Sequence, residues 1–236
     1  MANDYFQFKQ FTVHQQRCAM KVGTDGTLLG AWAHVPVASA RILDIGTGTG
    51  LIALMMAQRF PDASVMGIDI DKDAVSQAQE NVAASPFASR ISICNENIFD
   101  FDDSEGFDAI VSNPPYFVES LTCPDKQRTM ARHTVSLTHE GLMRSAFRLL
   151  KPNGLFSLVI PTECRSSIEA EARLAGFFLT RVCMIRTTPK KESKRQLIEF
   201  SKYPKNELFI EEGIIEDAPN VRSSWYQQLT QDFYIR

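Results

Sequence analysis

Two short segments carry the residue types from which chemistry can be built. The first, Asn113-Pro114-Pro115-Tyr116, places an amide side chain, two prolines and an aromatic ring in succession. The prolines fix the backbone and remove two amide donors, so the carbonyls of Asn113 and Pro114 can point into a crevice as acceptors. The amino group of a nucleic-acid base is a poor nucleophile, because its lone pair is delocalised into the ring. If the Asn113 side-chain oxygen and the Pro114 carbonyl accept its two hydrogens, the nitrogen pyramidalises and its lone pair turns toward an electrophile. Tyr116 would then stack on the base, the usual way an extruded base is held. No strong general base is required, since the positively charged product loses its proton after transfer. Taken alone, the tetrapeptide also describes a plain turn.

The second segment, Asp44-Ile45-Gly46-Thr47-Gly48-Thr49-Gly50, joins an apolar run to a helical one. Its glycines suit a tight turn with a ligand lying against the backbone. The Gly-x-Gly-x-Gly spacing differs from the Gly-x-Gly-x-x-Gly of dinucleotide enzymes, where a helix N-terminus faces a pyrophosphate. Asp44 at the strand end would repel a phosphate but suits a ligand with an ammonium group and a positive sulfonium, as S-adenosylmethionine has. Asp69, ending the next apolar run, is expected to accept both hydroxyls of a ribose. Asn97, after a third run, is expected to face the adenine amino group, with Ile98 supplying a backbone contact. Each acid singly could be a solvated loop residue, and a nicotinamide dehydrogenase is the competing reading of the turn.

These residues need strand ends to hold them, and the chain supplies them. After Arg41, short apolar runs alternate with longer helical ones, the pattern of a parallel sheet with crossover helices. Arg41 to Ile45, Ala63 to Ile70, Arg90 to Cys94 and Phe107 to Ser112 read as strands. Leu51 to Phe60 reads as a buried helix ended by Pro61, and a second helix, capped by Asp71, runs through Val75, Ala78 and Val82. Tyr116 to Thr138 shows no periodicity and is expected to be a substrate-contacting loop. Thr138 caps a helix through Leu150, and Lys151-Pro152-Asn153-Gly154 is expected to turn the chain into a strand, Leu155 to Ile160. A helix from Arg165 stops at Gly176, and Phe177 to Ile185 and Leu197 to Phe200 form the arms of a long hairpin. A final helix is expected from Ser223.

At 236 residues with 44% apolar content the chain can bury a substantial core, and one domain over 1–236 is the expectation. Met1 to Lys9 do not resemble a secretory signal, and no stretch approaches a membrane span. Cys18, Cys94, Cys123, Cys164 and Cys183 are scattered, without metal-ligand spacing, and read as reduced thiols of a cytoplasmic protein with no metal. Charge is divided unevenly. From Asp44 to Asp108 twelve acids stand against three bases, giving −9; from Arg181 to Lys205 eight bases stand against two acids, giving +6. A basic strip beside an acidic half suggests a polyanion partner, although a solvated lysine-rich loop has the same composition.

Together the two motifs resemble the class I amino-methyltransferases with the Asn-Pro-Pro-Tyr signature. Within them the chain is similar to the bacterial tRNA1(Val) adenine N6-methyltransferase family, over nearly its whole length. That likeness rests also on a leader, Phe8-Lys9-Gln10-Phe11 and Cys18-Ala19-Met20-Lys21-Val22-Gly23-Thr24-Asp25-Gly26, on Arg128-Thr129-Met130-Ala131-Arg132, and on a basic hairpin from Thr188 to Arg195. It implies a Rossmann-like α/β fold: a seven-stranded, mostly parallel sheet with helices on both faces and a C-terminal antiparallel hairpin. It further implies a cofactor-covering segment over 1–40, a catalytic core over 41–203 and an extension over 204–236. S-adenosylmethionine would be the cofactor, with Lys21, Gly23 and Thr24 near it. A tRNA would be the substrate, with Arg128, Arg132, Lys190, Lys191, Lys194 and Arg195 near it and the adenine beside the anticodon of a valine tRNA as target. A monomer is expected. Asn97 departs from the aspartate of many relatives and loses charge assistance at the adenine. Protein glutamine N5-methyltransferases share the Asn-Pro-Pro-Tyr motif but place a larger helical domain ahead of the glycine turn, where this chain has 43 residues. An N2-guanine RNA methyltransferase and a non-catalytic RNA-binding module are the other readings.

Overall fold

Period-two alternation along the central strands sends successive side chains to opposite faces of one sheet. Ile42, Val65, Ala109, Val111 and Val159 face one way, into a core shared with three helices, α1 (Thr24–Trp32), α2 (Leu51–Arg59) and α3 (Lys72–Ala83). Leu43, Ile45, Ile68, Ile110 and Leu158 face the other way, onto α4 (His139–Leu149) and α5 (Arg165–Ala175). Burial on both faces is what a parallel sheet covered by crossover helices requires. The structure is a computed structural model that describes residues 3–18, 20–115 and 137–235. Among these residues, no helix is long and apolar enough to cross a membrane.

The strands, in chain order, are β1 (Tyr5–Gln7), β2 (Thr12–His14), β3 (Arg41–Ile45), β4 (Ser64–Asp69), β5 (Ile91–Asn95), β6 (Phe107–Ser112), β7 (Leu150–Pro161), β8 (Phe178–Arg186), β9 (Arg195–Ser201), β10 (Phe209–Ile214), β11 (Glu216–Ala218) and β12 (Val221–Arg222). The main sheet has the order β10-β8-β9-β7-β6-β3-β4-β5. Strands β3 to β7 are mutually parallel, and β9 runs antiparallel between β7 and β8. The expected caps are present: Asp71 accepts from the amides of Asp73 and Ala74, and Thr138 from Gly141. The final helix is α6 (Ser224–Thr230), capped by Ser223.

Two expectations need correction. The sheet has eight strands, not seven, because β10 lies parallel to β8 at the edge. It is held there by Arg181 on Glu211 and Arg186 on Glu212, ion pairs from β8 to β10. Lys151 to Gly154 is not a turn ahead of a strand. Those residues lie within β7 as a bulge, since Phe107 pairs with Leu150 while Ala109 pairs with Leu155. Lys151 is fixed there by Asp108, 2.9 Å away.

Register aligns the ends of the strands. Ile45 pairs with both Ile68 and Ser112, so Gly46, Asp69 and Asn113 each follow a matched residue. They form one row along the carboxyl edge of the sheet. The chain progresses outward from β3 to β4 and β5 in one direction and to β6 and β7 in the other. The row therefore straddles a topological switch point, where open α/β sheets bind ligands.

The leader and the C-terminal segment pack on the face of the sheet that α1, α2 and α3 cover. β1 and β2 form a hairpin whose His14 exchanges hydrogen bonds with the Asn81 amide of α3. Arg17 reaches Glu80 and Ser76 on the same helix. Residues after α6 hold the leader from behind: the Lys9 amide donates to the Phe233 carbonyl, and Phe6 and Phe8 pack on Tyr234.

Candidate active site

The glycine turn is built by its backbone. The amides of Gly46 and Thr47 both donate to the Ile68 carbonyl at the end of β4, and Gly48 donates to Asp69 Oδ2 at 2.9 Å. Gly46, Gly48 and Gly50 have φ of 72°, 55° and 81°, left-handed values that other residues adopt at a cost. A Cβ on Gly46 or Gly48 would meet nothing within 4 Å, so the turn presents bare backbone to open space. At Gly50 it would sit 3.3 Å from the Ala78 Cβ, where the turn packs on α3.

Asp44 lies under the turn and not on its surface. Its side chain is fully buried; Oδ2 accepts from Thr47 Oγ1 at 2.7 Å and from the Ala53 amide at 3.2 Å. Asp44 thus ties the turn to the first turn of α2. Its other oxygen, Oδ1, is buried without a hydrogen-bond partner among the described residues. Burial pushes the carboxyl up to about 7, against the lowering effect of its two hydrogen bonds, and the charge of Asp69 adds to the rise.

Asp69, half-buried at the end of β4, uses one oxygen on the Gly48 amide and the other on the Asp71 amide. Each oxygen keeps acceptor capacity for a hydroxyl. Ile70, next in the chain, is 59% exposed and offers an apolar surface beside it. No motif includes Ile70, and its place directly after the strand-ending acid is the signal that marks it. Asn97 Oδ1 accepts from the Phe99 amide at 3.1 Å, an Asx turn that starts the bend after β5, and Ile98 is buried beneath it. Cys18 of the leader is close enough to sense this rim: burial, then the charges of Asp69 and Asp71, raise its thiol to about 11. The crevice is therefore electronegative, which opposes a phosphate and fits a cationic nucleoside. The bare glycine turn, the orphaned Asp44 oxygen and the half-buried Asp69 suit the ammonium, sulfonium and ribose of S-adenosylmethionine.

Asn113 stands beside this crevice, one strand over. Ser112 before it donates its hydroxyl to the Ile45 carbonyl, which locks the end of β6 to the end of β3. Asn113 Oδ1 is buried and accepts no hydrogen bond from a described residue. A buried acceptor without a donor costs about 1–3 kcal/mol, so the site holds a place for an incoming N–H. Pro114 is buried and Pro115 exposed. Gly26 of α1 lies against the same amide, since a Cβ there would come within 3.9 Å of Asn113 Nδ2 and 3.2 Å of Leu51 Cδ2. Tyr116, Arg128 and Arg132 fall outside the described residues, as does the expected substrate loop between residues 116 and 136.

Lys21, Gly23 and Thr24 are exposed where the leader enters α1, and Gly23 is that helix's N-cap residue. The basic strip is thinner in space than along the chain. Of its eight bases, Arg181, Arg186, Arg195 and Lys205 pair with Glu211, Glu212, Asp25 and Glu199. Lys202 lies over the Phe147 ring. The exposed Lys190, Lys191 and Lys194 form no ion pair with another described residue and occupy the loop joining β8 to β9. Arg195 opposes Pro161, the last residue of β7, so this loop sits at the same carboxyl edge as Asn113.

Comparison with known proteins agrees with this geometry. A family model described as a methyltransferase domain matches residues 37–201. A tRNA1(Val) (adenine(37)-N6)-methyltransferase of Bacteroides thetaiotaomicron is 49% identical, covering 100% of this chain and 99% of its own. One of the same name from Phocaeicola vulgatus is 52% identical over the same shares. Among solved structures, one titled a predicted O-methyltransferase, from Agrobacterium tumefaciens, superposes with a TM-score of 0.70. It is 20% identical and covers 89% of this chain and 96% of its own, a likeness of fold.

Proposed function

Because the chain belongs to the tRNA1(Val) (adenine(37)-N6)-methyltransferase family, we propose that it methylates the N6 amine of adenine 37 in that tRNA. The observation that carries this reading is the buried Oδ1 of Asn113, unpartnered among the described residues, in one row with Gly46 and Asp69. S-adenosylmethionine supplies an electrophilic methyl group when bound. Gly46 and Gly48 give it room along the backbone, Asp69 accepts from its ribose, Ile70 lies by its adenine, and Ile98 supplies a backbone contact with Asn97 at the amino edge. Asp44 holds the turn and keeps a carboxyl oxygen free of described partners beneath it.

At the acceptor, Asn113 Oδ1 accepts a hydrogen bond from one N–H of the target amine and the Pro114 carbonyl accepts one from the other, which localises the lone pair on nitrogen. Tyr116 stacks on the extruded base. The surplus proton of the product leaves to water after transfer. Lys190, Lys191 and Lys194 meet the tRNA backbone, and Arg128 and Arg132 act nearer the target nucleotide.

The test is incubation with methyl-labelled cofactor and total tRNA from a strain lacking the protein, followed by mapping of the labelled nucleoside. Label in N6-methyladenosine at position 37 of tRNA1(Val) is expected. Label in guanosine, or in a protein glutamine and not in RNA, would overturn the reading. The Asn113→Ala variant should lose turnover by about 100-fold or more, in the range for removing one transition-state hydrogen-bonding group. It should bind cofactor normally.

A further inference from the structure

Arg195 stands in the segment whose resemblance implies an RNA contact, yet its side chain is turned into the protein. Nε donates to Asp25 Oδ2 at 2.9 Å and Nη1 to the Lys194 carbonyl at 2.9 Å. The pair is only 33% and 24% exposed, unlike the three lysines around it. Arg195 opens β9 against Pro161 of β7, a place fixed by the main sheet. Asp25 belongs to the first turn of α1. The next residue, Gly26, approaches the Asn113 amide and Leu51, the first residue of α2 after the glycine turn. One helical turn therefore bonds to the basic loop through Asp25 and passes beside the Asn113 amide at Gly26, where an added Cβ would stand 3.9 Å from Nδ2.

We propose that Arg195 is a positioning residue and not a phosphate ligand: through Asp25 it holds the first turn of α1, and with it the Asn113 amide, in register with the lysine loop. The inference rests on the tRNA reading above. Nε on Asp25 and Nη1 on the Lys194 carbonyl orient the guanidinium by protein partners, whereas the three lysines are exposed. Keeping the pair fixes the distance between the place where RNA is gripped and the place where its base reacts. An error of about 1 Å in such a distance lowers turnover by up to roughly 100-fold.

The experiment combines single-turnover methylation with salt titrations of tRNA binding for the wild type, Arg195→Lys, Arg195→Ala, Asp25→Asn and the Asp25→Asn/Arg195→Ala double variant. Arg195→Ala and Asp25→Asn should each slow methyl transfer by about tenfold or more, with tRNA affinity and its salt slope unchanged. The double variant should be no slower than either single one, and Arg195→Lys, which keeps the ion pair, should retain most of the rate. Asp25→Asn is near-isosteric, and S-adenosylmethionine affinity by calorimetry reports whether each variant is folded. A phosphate-binding Arg195 gives the opposite sign: Asp25→Asn would release it, tighten tRNA binding and steepen the log–log salt slope by about one. That result, or normal transfer rates in both single variants, overturns the proposal while leaving the tRNA reading intact. Absence of tRNA methylation by the wild type overturns both.

Discussion

The burial of Asp44 makes the stability of the cofactor-free protein depend on pH in an unusual direction. Most carboxylates of a folded protein are ion-paired and stabilise it as pH rises, whereas the carboxyl of Asp44 is raised from 3.8 to about 7 by burial. Between those values the native state holds a proton that the unfolded chain has released, so stability falls with rising pH. At pH 5 the bound proton contributes about 3 kcal/mol and at pH 8 almost nothing, from a difference of about three pKa units at about 1.4 kcal/mol each. With a urea m-value of roughly 2–3 kcal/mol/M, this one group should lower the unfolding midpoint by about 1 M between pH 5 and pH 8. Asp44→Asn supplies the comparison, because its amide oxygen still accepts from Thr47 and Ala53 but does not titrate. Urea unfolding of both proteins at pH 5, 6, 7 and 8 gives the difference in pH slope directly. Parallel curves for the two would refute the assignment of Asp44 as a buried acid without a cation. Saturating S-adenosylmethionine, by supplying a positive charge, should shrink the difference.

Two further outcomes follow from the same geometry. Replacing Lys190, Lys191 and Lys194 together by alanine should reduce the log–log salt slope of tRNA binding by roughly 2–3 units, at about 0.7–0.9 for each phosphate no longer neutralised, and leave cofactor affinity unchanged in calorimetry. Gly50→Ala should destabilise the protein by about 1–2 kcal/mol, the cost of a left-handed backbone in an L-residue, and the tight approach to Ala78 adds to it; a thermal melt reads the change.

The row of candidate site residues was legible in the sequence because each member follows an apolar run and precedes a glycine, a proline or a helix cap. Those local signals survive without knowledge of tertiary contacts. Strand β10 was not legible: Leu208, Phe209 and Ile210 are exposed, and Glu211 and Glu212 read as solvated charge until their partners on β8 are seen. The basic strip misled for the same reason. Arg181 and Arg195 are paired with acids 30 and 170 positions away, and a running sum of charge has no access to such distances. That Asp44 lies fully buried beneath the turn was not legible from its place at a strand end. The nearby signal was Thr47, three residues on, whose hydroxyl is the partner a buried carboxylate needs.

The meeting of the leader with the segment after α6 sets an order of events during synthesis. Lys9 bonds through Nζ to the Gln231 carbonyl, spanning 222 positions, and its amide bonds to the Phe233 carbonyl. Gln58 of α2 donates to the Asp232 carbonyl from the same side. On a ribosome adding about 5–20 residues per second, the sheet strands up to β9 emerge well before residues 231–234. The core can thus assemble while the leader still lacks its fastening. Loop closure over so long a span is entropically costly but grows only slowly with length, so the fastening forms readily once the sheet already brings the two segments near. A nascent chain paused after β9 would hold the glycine turn without a secured leader.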